Sequence, residues 1–192
     1  MGIYGGAFDP PHKAHVALAR AAQQQLSLSQ LRVIPTGDAW HKTRTLTHAT
    51  HRRRMAELAF AALPGVVVDP IEMQRTGPSY TLDTLQALQL SQPADQWWLV
   101  LGQDQLERLP TWHGWQTLLA GVHLAVAPRG SGRCQLPPGA QPLDFRVLEF
   151  VPQVVSATAL REAATHGRLP ALADKLPTPV MQYIMTHQLY QP

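Results

Sequence analysis

Short apolar segments alternate along the chain with longer segments in which apolar residues recur every three or four positions. Six apolar runs predict buried β-strands, at 2–6, 31–35, 66–70, 97–102, 123–129 and 145–151. Helical spacing predicts helices at 16–26, 52–63, 79–90 and 111–121, with two more beginning near Ser156 and Thr178. Strands separated by helices favour an α/β fold with a doubly wound, mostly parallel sheet and helices on both faces.

Length and composition indicate one folded domain. The 192 residues are 45% hydrophobic and 15% charged, which provides a core and excludes global disorder. No internal repeat or long linker divides the chain, so we expect a single domain over residues 1–192. The single cysteine, Cys134, excludes an intramolecular disulfide and a multi-cysteine zinc site.

Nothing in the sequence has the pattern of a membrane or export signal. No apolar run reaches the length of a membrane-spanning helix, and the first residues lack the layout of a signal peptide. We therefore expect a cytoplasmic protein without a membrane partner.

The charge balance is mildly basic, with 16 lysine and arginine residues against 13 aspartate and glutamate residues. This balance suits an anionic small ligand, whereas a nucleic-acid partner requires a clustered basic patch, and we expect none. The one dense basic run lies at 51–54, at the start of a predicted helix. We interpret it as a solvated helix face, with service to a nearby phosphate site as the alternative.

The segment after the first strand, GGAFDPPHKAH, combines features of a phosphate-binding site. Gly5 and Gly6 lack a Cβ atom, so a phosphate can approach the backbone amides closely. His12 and His15 lie on one face at the head of a helix, beside the positive end of its dipole. Imidazoles and helix N-termini both donate hydrogen bonds to phosphate oxygens. A protein-built metal site is disfavoured, because HExxH is missing and no third ligand is evident.

A second candidate phosphate site lies near the other end of the chain. The string VSATALR, at 155–161, runs into a predicted helix. Ser156 is expected to cap this helix, and Arg161 can bind a phosphate through two N–H groups.

These two strings resemble the GGxFDPxHxGH and (I/V)SxTxxR signatures of the nucleotidyltransferases with an HxGH motif. Further strings are similar to internal motifs of the bacterial nicotinate-nucleotide adenylyltransferases: PSYT at 78–81, LGQD at 101–104, PTW at 110–112, and His41-Lys42. The resemblance covers nearly the whole chain and implies a Rossmann-like form of the doubly wound fold.

The resemblance also implies an activity. Members of this family transfer the adenylyl group of ATP to nicotinate mononucleotide in NAD biosynthesis, giving nicotinate adenine dinucleotide and pyrophosphate. The implied mechanism is direct in-line attack without a covalent enzyme intermediate, with Mg²⁺ brought in by ATP. Both substrates are small molecules, ATP and nicotinate mononucleotide.

The resemblance assigns roles to residues that follow the predicted strands. It implies that His12, His15, Lys42 and Arg161 are catalytic, because they neutralise phosphate charge. ATP is expected to contact Gly5, Gly6, Ala7, His12, His15, Gly102, Asp104, Arg129, Ser156, Thr158 and Arg161. Within that set, the Asp104 carboxylate can accept hydrogen bonds from ribose hydroxyls.

Nicotinate mononucleotide is expected to contact Phe8, His41, Lys42, Thr81, Trp112 and His113. Trp112 offers a flat aromatic face to the positively charged pyridinium ring. Thr81 and the backbone amides around Trp112 and His113, at helix starts, suit a carboxylate that accepts hydrogen bonds. Nicotinamide presents an NH₂ donor instead, which would leave these donors unpaired.

The sequence departs from the family pattern at three positions. Ala14 replaces the glycine of HxGH, Ala7 stands where many relatives have Thr or Ser, and Trp40 stands where proline is common. We expect Ala14 to alter ATP affinity rather than abolish activity. Two alternatives stay open: a sister enzyme with another acceptor, such as nicotinamide mononucleotide or phosphopantetheine, and a nucleotide-binding sensor without turnover. The oligomeric state is also open.

Overall fold

A parallel β-sheet organises the part of the chain that the computed structural model describes, residues 1–37, 46–93, 96–129, 134–151 and 153–191. Its strands within those residues are β1 (Gly2–Gly6), β2 (Leu31–Pro35), β3 (Val66–Val68), β4 (Trp98–Gly102), β5 (His123–Ala127) and β6 (Asp144–Val147). Their order across the sheet is β3-β2-β1-β4-β5-β6, and each neighbouring pair is parallel. The predicted fold class is thereby confirmed.

Helices connect the strands and cover both faces of the sheet. They are α1 (Lys13–Gln25), α2 (Ala49–Phe60), α3 (Thr81–Ser91), α4 (Gln103–Arg108), α5 (Trp115–Ala120), α6 (Ala157–Thr165) and α7 (Thr178–Thr186). Short 3₁₀ turns lie at Ile71–Gln74, Leu109–Thr111 and Leu169–Leu172. Within the described residues, no helix has both the length and the apolar character needed to cross a membrane.

The strands supply side chains to two separate apolar cores, because successive residues of a strand point to opposite faces. In β4, Trp98 and Val100 pack with buried residues of α1, α2, α6 and α7. Leu99 and Leu101 pack instead with buried residues of α3, α4 and α5. Burial on both faces explains why these strands appear in the sequence as continuous apolar runs.

The sheet opens between β1 and β4. These strands pair only at their first residues, where Gly2 lies opposite Trp98 and Ile3 lies opposite Leu99. On its other side, β1 pairs with β2 over its full length, from Gly2 to Gly6. The carboxyl ends of β1 and β4 therefore flank a crevice at the point where the strand order reverses. Doubly wound sheets bind their ligands in this crevice.

The predicted helix at 111–121 is wrong in its first turn. Residues Leu109–Thr111 form a 3₁₀ turn, and α5 begins only at Trp115. Between them, Gly114 has a φ of 58°, a left-handed conformation that interrupts the helical path.

Gly37, two residues after β2, packs directly against the backbone of another segment. A Cβ atom at this position would overlap the carbonyl oxygen of Glu72 and lie 2.9 Å from Ser79 Oγ. A carbonyl in the main chain cannot rotate away as a flexible side chain can, so any larger residue must displace one of the two segments.

We expect Gly37→Ala to lower the free energy of unfolding by about 1–3 kcal/mol, the usual range for overpacking a filled site. Urea unfolding at one temperature measures the change. Gly5→Ala is the control, because a Cβ atom there meets no atom within 4 Å. Equal losses of stability in the two variants would contradict the proposed clash.

Candidate active site

The turn at residues 7–12, here called the β1 turn, leads from β1 into α1 along the crevice. Phe8 has a φ of 47°, which is uncommon for a bulky residue, and its side chain is only 2% exposed. Its ring packs edge-on against Tyr4, His15 and Phe60, with ring centroids 5.5, 5.2 and 5.7 Å apart. The buried ring anchors the turn. Because the ring is buried, only the backbone of Phe8 can make the predicted contact with the mononucleotide.

The two predicted catalytic histidines come together at the start of α1. The rings of His12 and His15 stack with centroids 3.7 Å apart and planes inclined by 22°. The His12 amide donates a hydrogen bond of 3.1 Å to His15 Nδ1. Since that nitrogen accepts, a neutral His15 carries its proton on Nε2.

His12 is held in its neutral form. The residue is 8% exposed, and burial lowers the pKa of its imidazole from the ordinary 6.5 to about 4. Its Nδ1 atom is buried and has no hydrogen-bond partner among the described residues. An anionic group beside the ring would favour the protonated form, because opposite charges stabilise each other.

Asp9 ties the β1 turn to three distant parts of the chain. Its buried carboxylate accepts hydrogen bonds from the Thr47 amide at 3.2 Å and from the Tyr190 hydroxyl at 2.8 Å. Its backbone carbonyl accepts a hydrogen bond of 2.8 Å from Arg161. Burial and the neighbouring Asp9 carboxylate raise the pKa of Tyr190 well above its usual range, so this hydroxyl remains a donor.

The second motif reaches the same turn from α6. Arg161 spans from the Asp9 carbonyl to Thr158 Oγ1, which lies 3.1 Å from the guanidinium. Ser156 occupies the N-cap position of α6, as predicted, but its side chain makes no capping hydrogen bond. The prediction that the Ser156 side chain caps α6 is therefore wrong. Ser156 and Thr158 are both exposed beside the turn.

Residues after β4 and β5 form the other wall of the crevice. Gly102 precedes α4, and Asp104, in the first turn of α4, forms an ion pair of 2.5 Å with Arg129. The Arg129 amide donates to Gln103 Oε1 at 2.8 Å. Asp104 and Arg129, which are both predicted to contact ATP, are thus paired with each other. Both side chains are more than half exposed, so water screens their attraction and a ligand can replace it.

The predicted pyridine-binding residues lie close together on α3 and before α5. Tyr80, which precedes Thr81 at the start of α3, packs its ring 4.4 Å from the ring of His113. The Trp112 amide, however, donates a hydrogen bond of 2.9 Å to Leu109 O within the 3₁₀ turn. The prediction that the Trp112 amide donates to the carboxylate of the ligand is therefore wrong, because this amide is already bonded within the protein. The Thr81 hydroxyl and the His113 amide stay as donors.

Arg52 shows that the basic run is only partly a solvated face. Arg53 and Arg54 are half exposed and pair with Glu57, as that interpretation requires. Arg52 is only 2% exposed, so the interpretation is wrong for this residue. Its guanidinium donates to the carbonyl oxygens of Ala7 at 3.1 Å and Thr36 at 2.6 Å.

A signal for this burial was present in the sequence. Arg52, Met55, Ala56 and Ala59 follow the i, i+3, i+4, i+7 spacing of the buried face of α2, and all four are buried. The charge of Arg52 concealed its place in that pattern.

Two predicted site residues, His41 and Lys42, lie outside the described residues. Among the residues that are described, no group of three or more His, Cys, Asp or Glu side chains is arranged to hold a metal ion. The groups that the structure does bring together at the β1 turn are His12, His15 and Arg161. This set offers hydrogen-bond donors and positive charge suited to phosphate oxygens.

Comparison with known sequences, which uses no structural information, also indicates a nucleotidyltransferase. The cytidylyltransferase-like family matches residues 3–163. A protein of Albidiferax ferrireducens described as a probable nicotinate-nucleotide adenylyltransferase is 48% identical over 198 residues, covering 100% of this chain and 98% of that protein. A Methylibium petroleiphilum protein with the same description is 46% identical over 197 residues, covering 100% of this chain and 92% of that protein.

Solved structures with the same fold include Plasmodium falciparum nicotinic acid mononucleotide adenylyltransferase. Its complex with NaAD superposes with a TM-score of 0.81 at 17% identity, covering 98% of this chain and 96% of that chain. Its complex with APC has a TM-score of 0.80 at the same identity and coverage. At this identity, the likeness supports the fold.

Burial lowers the pKa of His12 from the ordinary 6.5 to about 4 in the folded protein. Between these two pH values, His12 is therefore protonated to a greater extent in the unfolded chain than in the folded protein. Stability that depends on neutral His12 is therefore lost as the pH falls from about 6.5 towards 4. We expect His12→Asn, which keeps a favoured N-cap residue, to lose less stability than the unmodified protein between about pH 7 and pH 5.

Urea unfolding at the two pH values measures this difference. His113→Asn makes the same substitution at an exposed imidazole and is the control. The same pH dependence in His12→Asn as in the unmodified protein would contradict the buried neutral state.

Proposed function

The chain belongs to the cytidylyltransferase-like family and, within it, to the nicotinate-nucleotide adenylyltransferases, and we propose that it transfers the adenylyl group of ATP to nicotinate mononucleotide. The products are nicotinate adenine dinucleotide and pyrophosphate. The observation that carries this proposal is the stacked pair of His12 and His15 at the start of α1, with Arg161 reaching the same turn from α6. The names of the related proteins support the choice of acceptor.

The reaction needs no nucleophile from the protein. An oxygen of the mononucleotide 5′-phosphate forms a bond to the α-phosphorus of ATP, and the bond from that phosphorus to the oxygen that bridges to the β-phosphorus breaks. Pyrophosphate leaves with the electron pair. Catalysis then rests on alignment of the two phosphates and on stabilisation of charge spread over their oxygens.

The β1 turn and α6 supply that stabilisation. The His12 and His15 rings donate hydrogen bonds to phosphate oxygens of ATP, at the positive end of the α1 dipole. Ser156 and Thr158 offer exposed hydroxyls, and Arg161 offers a guanidinium, to the β- and γ-phosphates. Mg²⁺ enters as part of the ATP complex, so it belongs to the substrate.

The opposite wall of the crevice takes the adenosine. The Asp104 carboxylate accepts hydrogen bonds from ribose hydroxyls once its screened ion pair with Arg129 opens. Arg129 is then released to contact phosphate. Gly102, which has no side chain, leaves room for the nucleoside at the end of β4.

The pyridine ring stacks on Trp112, and its carboxylate accepts hydrogen bonds from the Thr81 hydroxyl and the His113 amide. The Phe8 backbone and the side chains of His41 and Lys42 complete the predicted contacts with the mononucleotide. Nicotinamide turns an NH₂ group towards the same donors and loses these hydrogen bonds.

Pyrophosphate release in the presence of ATP and Mg²⁺ tests the proposal, with nicotinate mononucleotide and nicotinamide mononucleotide compared under identical conditions. We expect kcat/KM for the acid to exceed that for the amide by roughly 100-fold or more, because unpaired donors penalise the amide. Equal use of both would reject the pyridine pocket but keep adenylyl transfer. Release with neither would reject the proposed function in favour of a sensor or another acceptor.

Trp112→Ala removes the proposed stacking face. We expect the KM for nicotinate mononucleotide to rise about 5-fold and the KM for ATP to change little, since a cation–π contact of this kind contributes on the order of 1 kcal/mol. Steady-state kinetics with each substrate varied in turn measures both values. Trp115→Ala is the matched control, because Trp115 is also half-buried against the same apolar core. Equal increases in both KM values for Trp112→Ala would make Trp112 a structural residue.

A further inference from the structure

The guanidinium of Arg52 joins three segments of backbone that meet beneath the crevice. It donates hydrogen bonds to Ala7 O at 3.1 Å, in the β1 turn, and to Thr47 O at 2.8 Å, just before α2. It also donates to Thr36 O at 2.6 Å and to Gly37 O at 3.4 Å, directly after β2. We infer that Arg52 is a positioning residue for adenylyl transfer, which holds the backbone of the β1 turn in the orientation that binds phosphate. This inference rests on the proposed function.

Peptide geometry connects the buried guanidinium to the ligand side of the turn. A trans peptide is planar, so its carbonyl and its N–H point in opposite directions. Since the Ala7 carbonyl points inward to Arg52, the N–H of the same peptide, which belongs to Phe8, points away from the guanidinium. Among the described residues, no acceptor is bonded to that N–H.

Phe8 makes this peptide dependent on its surroundings. Its φ of 47° is costly for an aromatic residue and persists only where neighbouring groups impose it. The buried Phe8 ring holds the side-chain end of the residue, and Arg52 holds the preceding carbonyl. A second tie runs from the Thr36 amide to Gly6 O at 2.9 Å, so the turn and the end of β2 are fixed to one another.

An arginine suits this place better than other cations. Its flat guanidinium presents N–H groups in several fixed directions, whereas the ammonium of lysine is a compact point charge. Arginine can therefore donate hydrogen bonds to three separate backbone segments at once. Burial of a charge is itself unfavourable. The four carbonyl oxygens compensate for the lost water, so the arrangement gives directional control rather than a large gain in stability.

The test compares Arg52→Lys with Arg53→Lys. Both variants keep a positive charge in the same helix, but Arg53 is half exposed and pairs only with surface Glu57 among the described residues. We expect kcat of Arg52→Lys to fall roughly 10- to 100-fold, because a misplacement of about 1 Å at a reacting group has effects of that size. Arg53→Lys should keep kcat within about two-fold. Circular dichroism identifies a temperature at which both variants are folded, and the assays are run there.

A role limited to stability would lower the melting temperature of Arg52→Lys without changing kcat of the folded protein. A kcat for folded Arg52→Lys within two-fold of that for Arg53→Lys would therefore overturn the inference. If the unmodified protein itself releases no pyrophosphate, the proposed function fails instead, and the two failures are distinguishable.

A measurement on the unmodified protein keeps the inference testable even if Arg52→Lys does not fold. With ¹⁵N-labelled phenylalanine, the amide resonance of Phe8 is followed by NMR while nicotinate mononucleotide, whose 5′-phosphate is placed at this turn, is added. We expect this resonance to shift in proportion to the fraction of protein that has bound the mononucleotide, as measured by calorimetry. A Phe8 resonance that stays unmoved at saturation would overturn the inference.

Discussion

The early separation of β1 from β4 is the constraint on which the site depends. These strands share backbone pairing only at Gly2 and Ile3, whereas β1 follows β2 to its end. Backbone groups near the end of β1 therefore turn towards the crevice instead of towards a neighbouring strand. The β1 turn, the start of α1 and the residues after β4 meet there because the sheet leaves this gap. A sheet that stayed paired along β1 and β4 would not open this crevice.

Polar groups around this gap are positioned by contacts that run behind it. Asp9 and Arg52 are buried, and Tyr190 is partly buried. The Tyr190 hydroxyl donates to the Asp9 carboxylate, and Arg52 donates to backbone carbonyls. Glu72 belongs to the same layer. Burial raises the pKa of its carboxyl, and the hydrogen bond from Thr84 and the charge of Arg75 oppose that effect. The donors of the site thus rest on buried carboxylates and a buried guanidinium that are hydrogen-bonded to other groups of the protein.

Local patterns predicted the elements well and the long-range contacts poorly. The strands at 2–6 and 31–35 have the predicted bounds, because apolar runs between turn residues are a local signal. The two motifs also predicted that α1 and α6 serve one site, and Arg161 does reach Asp9. The carbonyl partners of the Arg52 guanidinium, the bond of the Trp112 amide to Leu109, and the missing side-chain cap at Ser156 depend on distant groups or backbone angles that no short string specifies. Phe8 is an intermediate case. The motif correctly placed it in the turn between β1 and α1, but it did not predict that the ring would be buried.

The bond between Tyr190 and Asp9 has a consequence for how the protein is made. These residues are 181 positions apart, so the ribosome completes Asp9 long before it adds its partner. Until the segment with Tyr190 emerges, the carboxylate of Asp9 lacks one of its two described donors, and the turn that carries the histidines is held less firmly. The nascent chain can pair β1 with β2 early, since those strands are close in sequence. Assembly of the β1 turn is therefore finished only after the segment that carries Tyr190, which follows α7, has been translated.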